Sequence, residues 1–532
     1  MLQPNTIENF IENKNHVFLN KAKNLEPVLI RETVTPKALI EVIKKNDEYS
    51  GRKIGNIQAN GQKANKGMKI CMDFGRHCVG YVKFSVLLNH TIPDAPAFIR
   101  LKFGEQLCEI AEDHADYKGE LSSSWIQEEY IHVDVLPAEI QLPRRYAFRY
   151  MEIYIIDTSP QYDIVIDNIS CETVTSADMS VPVLPDNLDE EMTEIYMASL
   201  NTMRSCMQLV FEDGPKRDRR LWIGDLRLQA LTNYETFKNY DLAKRCLYLF
   251  AGLTINEGKV TSCLYVEPAP RASMTYLFDY SLFFISCLYD YYKATGDKKI
   301  LKELWDVAYR QIEIAWERVD DNGVVRDSDD WWCFIDWDDD LNKQAGAQAI
   351  FIYTLKQARE IAKVLTCKEK VFKIDFMIER LTNAALVHLW DETTGFFVSG
   401  QKRQISWASQ VWFVLAEVFD CKSNAELMKR TIYKNPKIRM RTPYMHHHFV
   451  EALYMSEMSS EAQQHMRDYW GSMINDGADC FFEIYDPENR NISPYGDRVI
   501  HSYCHAWSGT PAYFIHRYAE SFVQFPCLLF QK

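Results

Sequence analysis

The sequence holds no basic run, and its 60 Lys and Arg are outnumbered by 74 Asp and Glu, leaving a net charge of −14. A surface of that sign repels phosphate backbones and anionic headgroups, so neither nucleic acid nor membrane is an expected partner. No apolar run is long enough to span a bilayer. The opening residues, Met1-Leu2-Gln3-Pro4-Asn5, show no basic n-region and no apolar h-region, so no secretory signal is read and a cytoplasmic location is expected. The 14 cysteines include no C-x-x-C pair. Cys206, Cys246 and Cys287 fall inside apolar helical runs, where a free thiol packs as a small hydrophobe. That pattern argues for a reducing compartment and against a zinc site. Glycine-rich phosphate loops and the G-x-S-x-G elbow are missing, which removes the motifs of kinases, dehydrogenases and serine hydrolases. The His446-His447-His448 run does not supply a metal site, because consecutive helical histidines diverge and two ligands on one face need i, i+4 spacing. Neither metal nor cofactor is expected.

What the chain does have is length, room for two or three domains, and aromatic rings. Trp, Tyr and Phe make up 13%, a content that suits either an aromatic-rich core or a sugar-binding cleft. Residues 1–67 mix short apolar runs with Asn, Lys and Glu and are left unassigned. From 68 to 178 the period is two: Val82, Phe84 and Val86, then Ile99, Leu101 and Phe103, then Ile131, Val133 and Val135, then Met151, Ile153 and Ile155. Such short alternating strands predict an antiparallel β-sandwich. Val181-Pro182-Val183-Leu184-Pro185 reads as a linker over 179–188, since prolines hold the backbone extended.

From 189 to 532 the period is 3.6, with about twelve helices and no fixed repeat. Alternate connections are tight, at Asn239-Tyr240, Gly296-Asp297, Cys421-Lys422 and Met458-Ser459-Ser460; the others are long and rich in charge, Trp, Gly and Pro. Tight turns join antiparallel neighbours, so the long loops gather at one end. The economical closed form is an all-α (α/α)6 barrel with one decorated mouth.

One stretch stands out, Phe211-Glu212-Asp213-Gly214-Pro215-Lys216-Arg217-Asp218-Arg219-Arg220-Leu221-Trp222-Ile223-Gly224-Asp225. It reads either as a salt-bridged loop with Asp225 capping a helix or as a site. The loop parity favours the site. Trp331 to Asp340 and Gly477 to Asp486 occupy loops of the same parity, so carboxylates and indoles from all three should meet. That combination suits glycoside hydrolysis, in which one carboxylic acid protonates the leaving oxygen and a second carboxylate acts opposite. Glu483, amid Phe481, Phe482 and Tyr485, is the candidate for the second; a half-buried structural Glu is the alternative. His505 either contacts a sugar hydroxyl or is a satisfied structural histidine.

These motifs resemble those of the bacterial α-L-rhamnosidases of glycoside hydrolase family 78. The family's Asp-x-Pro-x-Arg-[Glu/Asp]…Trp-x-Gly-Asp signature is matched by Asp213, Pro215, Arg217, Asp218, Trp222, Gly224 and Asp225. Its Gly-Ala-Thr-Thr-x-x-Glu segment is similar to Gly477–Glu483 with both Thr replaced, and its Cys-His-x-Trp-Ser segment to Cys504–Ser508. Met72-Asp73-Phe74-Gly75, Gly104-Glu105 and Phe148-Arg149-Tyr150 resemble the sandwich that precedes the family's barrel. The resemblance implies an exo-acting, inverting hydrolase of α-L-rhamnosides, with Asp218 as general acid and Glu483 as general base. It implies Asp213, Arg217, Trp222, Asp225, Asp279, Trp337 and His505 as substrate-binding residues. Three departures stand out. Asp218 replaces the family's usual Glu, Leu277-Phe278-Asp279 stands where Trp-x-Asp is usual, and the family's C-terminal β-domain has no counterpart before Lys532. A glycosidase for another sugar, a polysaccharide lyase using Tyr503, His505 or residues 446–448 as base, and an inactive carbohydrate-binding protein are the alternatives.

Overall fold

The computed structural model describes residues 10–57, 61–89, 91, 93–186, 188–327 and 332–522. Residues 1–9 of the opening stretch and Trp331, placed above at the mouth, lie outside the described residues.

The first elements described, β1 (Glu12–Lys14) and α1 (His16–Asn24), join the helical part of the chain: β1 pairs antiparallel with Leu253–Ile255. The β-domain then runs through β2 (Ile30–Val34), β3 (Ala38–Lys45), β4 (Glu48–Gly55), β5 (Gln62–Ala64), β6 (Lys69–Leu88), β7 (Ala97–Gly104), α2 (Leu107–Ala111), β8 (Glu128–Val133), β9 (Ala138–Gln141), β10 (Tyr146–Asp157) and β11 (Ile164–Thr175). All its pairings are antiparallel, in the order β2-β11-β6-β10-β7-β8, with β3 and β9 also on β6. The 20-residue β6 is long enough to serve two partners along its length, β10 up to Gly80 and β11 beyond it. At the crossing, a β-carbon on Gly80 would lie 2.1 Å from the Glu172 carbonyl oxygen, so only glycine fits. The inward positions of the alternating strands (Met72, Phe74, Val82, Phe84, Leu101, Phe103, Phe148, Met151) form one apolar core.

The strands begin at Ile30, not at 68 as the alternation suggested. The physical reason is exposure: β4 buries no residue, so its sequence carries no period-two signal.

Beyond the linker come α3 (Glu190–Cys206), α4 (Ile223–Glu235), α5 (Tyr240–Gly252), α6 (Phe278–Thr295), α7 (Lys298–Trp316), α8 (Gln344–Val364), α9 (Lys368–Ala384), α10 (Trp407–Leu415), α11 (Cys421–Lys434), α12 (Pro443–Met455), α13 (Ser459–Met466), α14 (Ser472–Asn475) and α15 (Pro511–Arg517). A π-turn at Arg467–Gly471 joins α13 to α14. Helices α4, α6, α8, α10 and α12 pack side by side in that order, and the 506–517 segment returns to α4, closing the ring. The inner helices are buried on most of their surface; α10 is buried along nearly its whole length, whereas the outer α9 buries only Ile374, Leu381 and Ala384. Local chemistry sets the tight turns. Gly296 adopts φ 70 to end α6, and Asp297 caps α7 by accepting from Lys299 and Ile300. The long loops all enter inner helices, so they share the end where those helices begin, and the expected (α/α)6 barrel with one mouth is present. Among the described residues no helix is long and apolar enough to cross a membrane.

A dry polar cluster locks the β-domain onto the barrel. Lys216 Nζ donates to Glu109 Oε1 (2.7 Å) and to the His501 carbonyl, and stands 3.5 Å from Glu105. All three charged side chains are buried. Removing one partner of such a set strands the others uncompensated, at a cost of about 3–5 kcal/mol. Lys216→Met is therefore expected to lower Tm by several degrees in scanning calorimetry, while Lys244→Met, at a half-exposed surface pair, changes it little. Equal effects would remove the clamp.

Candidate active site

The mouth is built by three loops. The first, between α3 and α4, is gripped on both sides. Gly214 lets it approach the last loop so closely that a β-carbon would stand 2.9 Å from Ser502 Oγ. Asp213 donates its N–H to the Arg220 carbonyl (3.0 Å), and its own carbonyl accepts from the Ala506 N–H (2.7 Å). Arg219 donates to the carbonyls of Pro215 (2.8 Å) and Arg145 (2.8 Å), and Arg145 in turn pairs with Glu212 at 2.7 Å. Between these anchors Asp218 and Arg219 take left-handed backbones, φ 60 and 52. The Asp218 side chain is about one-fifth exposed, with Arg220 at 3.7 Å.

Glu483 comes from the loop after α14. Its N–H donates to the Ser502 carbonyl (3.0 Å) and its carbonyl accepts from Trp507 Nε1 (2.9 Å). The carboxylate receives the Arg217 guanidinium and the Tyr495 hydroxyl (3.2 Å). Burial raises its pKa to about 6, a rise that Arg217 restrains and the charge of Asp218 increases. His505 bridges two acids, with Nε2 3.5 Å from Glu483 and Nδ1 3.5 Å from Asp225. Burial and Arg217 hold its pKa well below the usual histidine value, so the ring is neutral. Asp213 and Asp225 are pushed well above the carboxylate range, chiefly by burial and then by neighbouring acids, Asp218 among them in both cases. Asp218, Glu483, Asp213 and Asp225 thus feel one another electrostatically across the mouth, as the loop parity predicted.

Aromatic rings line the same space. Trp222 and Trp337 are each half-buried. Trp337 meets Trp507 and Tyr495 edge-on, both with centroids 5.6 Å apart, and Trp222 meets Tyr280 at 6.3 Å. Tyr495 and Trp507, not Phe482 or Tyr485, are the rings at Glu483: the Tyr485 hydroxyl donates to Asp476 (2.7 Å) and Phe482 packs on Tyr503.

Two expected substrate contacts are committed elsewhere. Asp279 is fully buried at the start of α6 and accepts the N–H groups of Phe334 (3.0 Å) and Ile335 (2.9 Å). Its carboxylate holds the third loop, where Ile335 takes φ 54, a left-handed conformation strained for a β-branched residue. Asp336, which sequence reasoning missed, does the same on the other side, accepting from Thr442 Oγ1 (2.7 Å) and the Arg441 N–H (2.7 Å). Arg217 is also buried: Nε donates to the Ile500 carbonyl (2.9 Å), an Nη to Glu483, and the guanidinium lies over Tyr495 at 4.2 Å. Both side chains are buried and hold protein partners.

The lyase bases are mostly occupied as well. The Tyr503 hydroxyl donates to the Arg498 carbonyl (3.1 Å). The three consecutive histidines diverge: His446 stacks on Tyr469, His448 Nδ1 donates to the Tyr444 carbonyl (2.7 Å), and His447 packs against Phe514.

A six-hairpin barrel whose mouth sets a buried, tuned glutamate among aspartates and indoles is the architecture of a glycoside hydrolase. Residues 188–519 match the bacterial alpha-L-rhamnosidase 6 hairpin glycosidase domain, and residues 36–173 the glycosyl hydrolase family 78 alpha-rhamnosidase N-terminal domain. The chain belongs to the bacterial α-L-rhamnosidases of glycoside hydrolase family 78. It is similar to a rhamnosidase from Klebsiella oxytoca solved with rhamnose bound, at 44% identity and TM-score 0.93, over 96% of this chain and 100% of that one. In fold it is also similar to the family 78 rhamnosidase of Bacillus sp. GL1 (19% identity, TM-score 0.73, 88% of this chain and 49% of that one). The same holds for the Streptomyces avermitilis α-L-rhamnosidase complexed with L-rhamnose (15%, TM-score 0.64, 87% and 43%). The comparison with curated proteins gives no match.

Arg217 lowers the pKa of Glu483, so its removal must raise it. The acidic limb of the pH–rate profile is expected near 6 in the wild type and at higher pH in Arg217→Gln, because Glu483 then stays protonated further up the scale. An unmoved limb in an active Arg217→Gln would detach that limb from Glu483.

Proposed function

We propose that the protein is an exo-acting, inverting α-L-rhamnosidase in which Glu483 is the general base and Asp218 the general acid. The observation that carries the reading is the difference in environment between the two carboxyl groups. Glu483 is buried, tuned to about 6 and oriented by Arg217, Tyr495 and His505. A base with that pKa is ionised at neutral pH yet basic enough to take a proton from water. Asp218 sits on the open side of the mouth, where a leaving group departs. An inverting pair stands about 6.5–9.5 Å apart to admit that water.

The sugar ring packs on Trp222 and Trp337, and Asp213, Asp225 and His505 meet its hydroxyls. The substrate is a carbohydrate; rhamnose in particular is supported by the Klebsiella oxytoca relative, which was solved with rhamnose bound. The balance of 74 acidic to 60 basic side chains supports a substrate without phosphates and no nucleic-acid or membrane partner. Free, mostly buried cysteines support a reducing, cytoplasmic location.

Asp218→Asn is expected to slow natural glycosides by ~10²–10⁴. Nitrophenyl rhamnoside should be spared much more, since a nitrophenolate leaves without a proton. Glu483→Gln should abolish turnover of both while keeping sugar affinity. The first product seen by NMR should carry the opposite anomeric configuration to the substrate. Retention of configuration, or equal slowing of both substrates by Asp218→Asn, would sink the assignment.

A further inference from the structure

Behind the catalytic loops, against the β-domain, lies a second cluster of reactive groups that hydrolysis does not use. His77, from β6, Cys480, three residues before Glu483, and Cys504, one before His505, place one donor atom each within 4.8 Å of one another, all buried. Cys206, the last residue of α3, joins them, packed with Cys480 and Cys504 in one buried cluster. We propose that these residues bind one zinc ion, with His77, Cys480 and Cys504 as ligands and Cys206 or a water completing the tetrahedron.

The geometry is close to what zinc requires. Bonds of about 2.3 Å to sulfur and 2.0–2.1 Å to nitrogen put tetrahedral ligands roughly 3.5–3.8 Å apart. The donors therefore need to close by about 1 Å at most.

The histidine is already prepared. Its Nε2 lies 3.1 Å from Glu105 Oε1. With Nε2 turned to that carboxylate, Nδ1 is the ring nitrogen left to ligate once the Ser205 hydroxyl gives way. Nδ1 points to Ser205 Oγ at 2.9 Å, and that hydroxyl lies 4.0 Å from the Cys480 sulfur. A carboxylate that fixes the tautomer of the ligating ring is the usual outer support of a zinc histidine.

Charge favours zinc over a monovalent soft metal. Two thiols lose their protons to solvent as Zn²⁺ binds, and the two thiolates neutralise the ion. With a water or Cys206 as a neutral thiol in the fourth place, the buried site gains no net charge, whereas a monovalent ion held by the same two thiolates would leave a negative one. Sequence reasoning argued against zinc because no two cysteines share a zinc-like spacing; the fold brings the ligands together from three distant segments. Zinc here would fasten the β-domain to the two segments that carry Glu483 and His505.

The test uses the full chain, reduced and stripped of metal, in a Cys421→Ala background that removes the one exposed thiol among the described residues. It should take up one Zn²⁺ per chain by elemental analysis, with a rise in Tm, and one Co²⁺ showing sulfur-to-cobalt charge-transfer absorption. Cys480→Ser and Cys504→Ser should each weaken uptake at least tenfold, and Glu105→Gln by ~10–100-fold. No stoichiometric uptake, a cobalt spectrum without the sulfur band, or folded serine variants that bind as well as the parent would overturn the proposal. Should both serine variants fail to fold, the cobalt spectrum of the parent decides alone.

Discussion

The catalytic arrangement depends on one buried ammonium, that of Lys216. The loop that carries Asp213 and Asp218 has no regular structure to hold it, so its shape is set by what its side chains grip. Lys216 reaches into the β-domain for Glu109 and Glu105. The next residue, Arg217, turns the other way to Glu483; Asp218 turns to the opening; Arg219 returns to the β-domain carbonyl of Arg145. Four consecutive charged residues thus point in alternating directions. Three of them are pinned to fixed partners, and the fourth is thereby placed. Desolvating each ion costs several kcal/mol, which explains why none of the buried ones is without an opposite charge or a carbonyl. Two carboxylates share the single ammonium, and they do not share it equally. Glu105, aided by His77 and the Tyr503 N–H, is held below its usual pKa, while burial lifts Glu109 to about 7.

The mouth exploits where the inner helices begin. Asp225 lies in the first turn of α4 and Asp279 in the first turn of α6, where unpaired N–H groups and the helix dipole favour negative charge. The same end of the barrel can therefore hold several carboxylates in little space. The chain divides them by task. Asp279 and Asp336 are saturated by backbone donors and fix the 333–337 loop, including the strained Ile335. Glu483 is met by side chains, Arg217 and Tyr495, and Asp218 is partly exposed beside Arg220.

Much of this was legible in the sequence, and the rest was hidden for definite reasons. The barrel was readable because its turns carry strong local signals, such as the Gly296-Asp297 stop and cap and the Asn239 cap of α5. Loop parity then carried the mouth, since alternation of helices is a topological fact that residue types cannot blur. The start of the β-domain was not readable, because β3 and β4 are too exposed to alternate. Arg217 and Asp279 were recognised as residues of the site, but their protein partners were not. Their chemical type says that they bind something polar; only the packing says that the partner is the protein's own Glu483 or loop backbone. Tyr495 escaped because it sits in an irregular segment with no period to flag it.

The departure at position 218, Asp where the family commonly has Glu, has a local cause in this fold. Asp218 and Arg219 both take left-handed backbones, each costing roughly 1–2 kcal/mol for a residue with a β-carbon. Aspartate enters that conformation more readily than glutamate, since its short polar side chain can bond nearby groups. The turn cannot relax, because Lys216 and Arg219 are fixed on either side of Asp218. A shorter acid therefore relieves backbone strain at the one of these four charged residues whose side chain makes only a loose pair, with Arg220 at 3.7 Å. What it loses is reach, one methylene's worth, at the carboxyl group proposed to meet the leaving oxygen.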